Sequence, residues 1–141
     1  MRKMERGATR IRPAGVILDA SPLLVFLLSE PGEERVAGAL LGGSTMTTLN
    51  FAEVASKYLS RGAMVRAETL LRRLPVTLVP VDEDLALQSA RLADLKWPVP
   101  LSLGDRVCLA LGQRTEKTIL TADRSWLDLA DRVRTPVELV G

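Results

Sequence analysis

With 141 residues, 47% of them hydrophobic and 26% charged, the chain is sized for one soluble domain around one core, and its 4% aromatics argue against a single-strand binder built on stacking platforms. It has no histidine, which removes the usual zinc ligands, the Ser–His and Cys–His pairs and imidazole acid–base chemistry, while its single cysteine, Cys108, excludes an internal disulfide and fits a reducing cytoplasm. Net charge is only +2, but Arg2, Lys3, Arg6, Arg10 and Arg12 face Glu5 alone in the first twelve residues, so residues 1–14 are expected to be a disordered basic extension or a phosphate-contacting arm, with residues 15–141 forming the domain.

Val16-Ile17-Leu18 reads as a short buried strand ending at Asp19. Ser21-Pro22 then reads as a helix start, with Ser21 at the N-cap and Pro22 at the first helical position. The helix Pro22–Leu28 is apolar almost all round, so it is buried or meets a partner. Glu30-Pro31-Gly32 is a turn, and Glu33–Leu41 is a second helix closed by Gly42-Gly43. Thr45–Leu49, rich in β-branched residues, predicts a strand. Phe51, Val54, Ala55, Tyr58 and Leu59 recur at helical spacing until Gly62 stops the helix. Ala63–Arg73 is a further helix and Val76–Pro80 a short strand. Asp82–Leu95 predicts a helix with Asp82, Glu83 and Asp84 in its first turn, where the macrodipole favours acids. Trp97–Leu101 is a Pro-bearing loop, Leu103–Gly112 a central apolar helix, Lys117–Leu120 a strand and Asp123–Leu129 a short helix. Val133–Val140 adds an edge strand whose pairing Pro136 limits.

Strands alternating with helices imply an α/β fold with a mostly parallel sheet covered on both faces. Ligands of such sheets bind beyond the carboxyl ends of the strands. The apolar run VILDASPLLVFLL follows basic residues, as in a signal peptide, but Asp19 and Pro22 break it and it is too short to span a bilayer. A cytoplasmic protein without a membrane anchor is expected.

Four acids, Asp19, Glu53, Asp105 and Asp123, occur where strand-like runs end or helix-like runs begin, in VILDAS, TLNFAEV, LSLGDRVCLAL and ILTADRSW. Each has an ordinary alternative. Asp105 completes a capping box with Ser102, Asp123 fits an N-cap, and Glu53 pairs with Asn50 as a cap or with Lys57 one turn on. Asp19 is the least easily explained as a cap, because Ser21-Pro22 already fills that role. Four carboxylates converging on one rim would repel one another, and a divalent cation would relieve that repulsion. With only oxygen donors on offer, Mg²⁺ or Mn²⁺ is the natural guest.

These segments resemble the PIN-domain ribonucleases, and within them the VapC-like toxins of bacterial toxin–antitoxin pairs. The resemblance runs from about Val16 to Val137, anchored by LDAS, NFAEV, LSLGDRVCLALG and LTADRSW. It implies a three-layer α/β/α fold and places the family's acidic quartet on Asp19, Glu53, Asp105 and Asp123. Ser21, Asn50 and Thr121 match its supporting polar positions, and Ala20 stands where many members have Thr. It implies Mg²⁺-dependent hydrolysis of RNA phosphodiesters, with Asp19 and Asp105 as primary ligands and Asp123 and Glu53 completing the site. It also implies an antitoxin docked on the apolar first helices, and a homodimer. Arg106, Arg114 and Arg124 are candidates for RNA phosphates from their nearness to the acids, with solvated surface arginines as the alternative. Cys108 and Trp126 read as packing residues.

Rival readings are an inactive binding module and phosphoaspartyl chemistry. A dehalogenase-like phosphatase would place a second acid at residue 21, which is Ser21, and a receiver-like domain would place a lysine after a late strand, whereas Lys117 precedes one. No Gly-rich phosphate loop is present.

Overall fold

The computed structural model describes residues 15–60, 64–94 and 100–141, and only the backbone of Met64. The basic segment 1–14, Gly62 and most of the loop from Trp97 lie outside the described residues. Five strands form one sheet: β1 (Val16–Leu18), β2 (Ser44–Thr47), β3 (Thr77–Val79), β4 (Thr118–Thr121) and β5 (Val137–Leu139). Their order is β3-β2-β1-β4-β5, and every pairing is parallel. The chain winds outward from β1 to β3, then returns to lay β4 against the other side of β1. The reversal puts the topological switch point at β1 and β4, the place where ligands of such sheets bind.

The helices are α1 (Ala20–Leu27), α2 (Glu33–Gly42), α3 (Thr48–Leu59), α4 (Met64–Arg73), α5 (Glu83–Arg91, continued by a 3-10 turn over Leu92–Asp94), α6 (Leu103–Thr115) and α7 (Trp126–Val133). They cover both faces, giving the expected three-layer α/β/α arrangement. Strand side chains alternate between the two cores. Leu18 and Leu120 join Leu23, Val36, Val54 and Leu71 of α1–α4. Ile17 and Ile119 join Leu85, Val107, Leu111, Trp126 and Leu129 of α5–α7. The same period of two turns Asp19 and Thr121 toward the α6 face.

Several element boundaries differ from the sequence reading, each for a local reason. Asp19, not Ser21, is the N-cap of α1. Pro22 is therefore the third helical residue, tolerated because first-turn N–H groups have no intrahelical acceptor. The second strand ends at Thr47 rather than Leu49, because the Thr47 hydroxyl accepts the Asn50 N–H at 3.0 Å and starts α3. That makes Thr47, not Asn50, the cap. The last helix begins at Trp126 behind Ser125, while Asp123 folds its carboxylate back onto the Ser125 N–H at 3.0 Å. Central helix α6 runs on to Thr115 and is closed by Glu116 in the left-handed region, φ 60°. No helix among the described residues is long and apolar enough to cross a membrane.

The C-terminal strand is fastened to the first helical hairpin. Arg35 of α2 pairs with Glu138 of β5, and the Gly32 backbone at φ 101° lies under the last strand. A Cβ on Gly32 would meet the Val140 carbonyl oxygen and Cγ1 at 2.8 Å. Gly32→Ala is expected to lower stability by about 2 kcal/mol or more, combining left-handed strain with this contact. Urea midpoints of the two proteins measure it, and equal midpoints would refute it.

Candidate active site

Asp19 leaves the end of the central strand and stays 7% exposed. Its Oδ2 accepts the Thr121 hydroxyl at 3.0 Å and the Ser21 hydroxyl at 3.3 Å. Its pKa is nonetheless raised from 3.8 to about 6, chiefly by burial, with the Asp105 charge adding to the rise and the Ala20 N–H, Thr121 and Ser21 opposing it. The two hydroxyls also hold the loop after β4. Ser21 Oγ accepts the Ala122 N–H at 3.0 Å, and Thr121 Oγ1 accepts the Asp123 N–H at 3.1 Å. Both predicted supporting hydroxyls thus stand between Asp19 and Asp123.

Asp105 enters from the first turn of α6. Its Oδ2 accepts the Ser102 N–H at 3.0 Å while Ser102 Oγ accepts the Asp105 N–H at 3.1 Å, a complete capping box. The cap and the site are one residue here, since Asp105 is also close enough to raise the Asp19 pKa.

Glu53 sits in the second turn of α3 and is aimed by Asn50. The Asn50 side chain is fully buried. Its Oδ1 accepts the Thr47 hydroxyl at 2.5 Å, and its Nδ2 donates to Glu53 Oε1 at 3.0 Å and to the Gly104 carbonyl at 3.1 Å. That amide ties α3 to the first turn of α6 and sets the Glu53 carboxylate against the bare Cα of Gly104.

Convergence is registered on a single atom. Cys108, one turn below Asp105, is fully buried, and its thiol is pushed well above the usual range by that burial and then by the charges of Asp19, Asp105 and Glu53. Asp123 is exposed at the rim, its Oδ1 held by the Ser125 N–H and hydroxyl. It joins the others through Thr121, whose hydroxyl accepts from the Asp123 backbone and donates to Asp19.

The arginines separate. Arg124 is exposed beside Asp123. Arg106 follows Asp105, with its guanidinium 3.5 Å from the Ser89 carbonyl of α5. Arg114 lies nine residues beyond Asp105, about 13 Å along α6, and donates to both Asp82 oxygens at 2.9 and 3.1 Å.

The donors fit a hard divalent cation in kind: carboxylate oxygens, no imidazole, and a thiol held away from ionisation. Among the described residues, no group of three or more acidic or thiol side chains is spaced to enclose an ion. Two contributors escaped the sequence reading. Thr47 looked like strand interior, though a Thr three residues before a polar side chain is a cap signal. Gly104 lies inside the expected helix Leu103–Gly112, where a glycine costs stability relative to alanine and a packing or functional reason is the signal to look for.

Fold and site together define a parallel α/β protein with a group of acids at its switch point. The PIN-domain family profile matches residues 16–132, and the chain belongs to that family. Solved structures share the fold. One is described as a toxin–antitoxin complex from Klebsiella pneumoniae, at TM-score 0.70 and 15% identity, covering 90% of this chain and 98% of that one. Another is Mycobacterium tuberculosis VapC20, described as a toxin that cleaves the sarcin–ricin loop, at TM-score 0.61 and 14% identity over 74% and 87% of the two chains. A third is VapBC-5 of the same organism, from a family of toxin–antitoxin systems, at TM-score 0.55 and 21% identity over 90% and 98%. A comparison with curated protein sequences finds no match.

The Asp19 shift has a consequence for stability. Its folded pKa is raised, so the proton is held more tightly in the folded state. The associated stability is full below about pH 3.8 and is lost as pH rises through about 6. The loss amounts to about 3 kcal/mol at neutral pH. In metal-free buffer Asp19→Asn is expected to have the higher urea midpoint at pH 7.5, with the advantage disappearing near pH 4. A variant less stable than wild type at pH 7.5 would contradict the account of a strained, buried carboxylate.

Proposed function

We propose that the protein is a Mg²⁺-dependent endoribonuclease and the toxin of a toxin–antitoxin pair. The observation that carries this reading is the convergence of Asp19, Asp105 and Glu53 over Cys108 at the carboxyl edge of the central strand. Membership of the PIN-domain family and the shared fold with toxins of such pairs support it. Asp19 and Asp105 would hold the cation, with Glu53 and Asp123 completing the donor set. Bound Mg²⁺, or Mn²⁺ in its place, supplies charge neutralisation at the scissile phosphate and a more acidic water. The protein's own contribution is orientation. Thr121 and Ser21 fix the Asp19 carboxylate, Ser102 fixes one oxygen of Asp105, and Asn50 fixes one oxygen of Glu53. Arg124, exposed beside Asp123, would take a backbone phosphate, and Arg106 on α6 is the alternative. Arg114, occupied by Asp82 away from Asp105, drops behind them.

The antitoxin is assigned to the α1–α2 face. Leu24, Phe26 and Leu27 are half-buried there, and Leu41 at the end of α2 is 88% exposed. A homodimer and a cytoplasmic setting belong to the same reading. The alternative is a catalytically inactive module that binds RNA or protein, against which the complete set of four acids argues.

Cleavage of an RNA panel in Mg²⁺, and separately in Mn²⁺, decides between the two. Wild type is expected to cut, and Asp19→Asn or Asp105→Asn to abolish cutting while remaining folded. Equal cleavage by both variants would sink the site, and RNA binding without cleavage by wild type would select the binding module. For uncleaved RNA, Arg124→Ala is expected to weaken binding and reduce the salt slope by about one unit. An unchanged slope would remove Arg124 from the interface.

A further inference from the structure

Gly104 is the second residue of α6, in backbone of ordinary helical sign where any residue is allowed. A glycine weakens a helix relative to alanine, so the backbone gives no reason for it. The surroundings do. A Cβ built on Gly104 would fall onto the Glu53 carboxylate, its three nearest atoms being Oε2, Oε1 and Cδ of that one side chain. The other buried glycine of the same helix differs. A Cβ on Gly112 would meet Thr135 and Ile119, which is packing against the sheet side of the core.

The Glu53 carboxylate is held at this place by Asn50. The Asn50 Nδ2 that donates to Glu53 Oε1 at 3.0 Å also donates to the Gly104 carbonyl at 3.1 Å. Asn50 is itself fixed, since its Oδ1 accepts the Thr47 hydroxyl and its backbone N–H donates to Thr47 Oγ1. We propose that the missing side chain of Gly104 sets where the Glu53 carboxylate lies, so that Gly104 is a positioning residue of the acidic site. A methyl group there drives the carboxylate off the Asn50 amide and away from Asp19 and Asp105. The consequence for metal binding rests on the function proposed above; the steric claim does not.

The test is Gly104→Ala, alone and in a Glu53→Ala background, read by circular dichroism, melting temperature and Mn²⁺ titration of the full chain. Gly104→Ala is expected to keep the fold and a melting temperature at or above wild type, and to weaken Mn²⁺ binding by about 10- to 100-fold, the range for residues that orient a ligand. In the Glu53→Ala background the same change should matter by less than about twofold, since the group it displaces is gone. An equal loss in both backgrounds, or none in either, overturns the proposal. Should Gly104→Ala unfold, the double variant must fold as Glu53→Ala does; failure of both refutes a clash with Glu53. A crystal structure of metal-free Gly104→Ala gives a readout independent of metal and RNA. Glu53 still bonded to Asn50 overturns the inference even if wild type is an active nuclease, and Glu53 displaced upholds it even if wild type cuts nothing.

Discussion

A carboxylate held out of water at the end of the central strand is the constraint that organises this molecule. Asp19 is flanked by strands on both sides and covered by α6, so the charge that suits a cation is a liability without one. The neighbouring groups answer that cost. Two hydroxyls, from Ser21 and Thr121, point at its Oδ2, and the Ala20 N–H contributes as well. Helices α1, α3 and α6 begin near the same edge, where their unpaired N–H groups favour negative charge. The residual strain, seen in the raised pKa of Asp19, is what a bound ion would relieve. Stability is sacrificed at the place where chemistry is proposed, a common arrangement in catalytic clefts.

Support for the acids is shared rather than private. Thr121 serves Asp19 through its hydroxyl hydrogen and Asp123 through its oxygen lone pair. Asn50 serves Glu53 and α6 with one amide nitrogen. Such networks fix geometry well when complete and fail as units when one member is lost.

Much of the fold was legible in the sequence because its signals are local. β1 lies where its apolar triplet predicts, whereas the expected edge strand Val133–Val140 shrinks to Val137–Leu139, because α7 runs on to Val133 and Pro136 has no N–H to pair. The errors cluster at caps, where two polar residues compete for one role. Asp19 displaced Ser21, Thr47 displaced Asn50, and Ser125 displaced Asp123. In each case the side chain denied the cap is engaged by other groups at or beside the acidic site. Asp105 shows the limit of choosing between a cap and a ligand from pattern alone, since the capping box leaves it within electrostatic reach of Asp19. What pattern could not supply was distance across the fold. The Arg114 partner, Asp82, is 32 residues away, and the Glu53 neighbour, Gly104, belongs to another helix.

The bond from Thr121 to Asp19 spans 102 residues of chain, and its strand β4 is inserted beside β1 only after β2, β3 and the helices α1 to α6 have been made. Early-synthesised β1 therefore waits beside an open slot while most of the chain emerges from the ribosome. Closing so long a loop is slow relative to local helix formation. The acidic site is accordingly a late product of folding, completed only when the C-terminal third is available. A nascent or truncated chain would display the N-terminal helices before its acids had been brought together, so a binding partner for those helices could engage the protein before the site had been assembled.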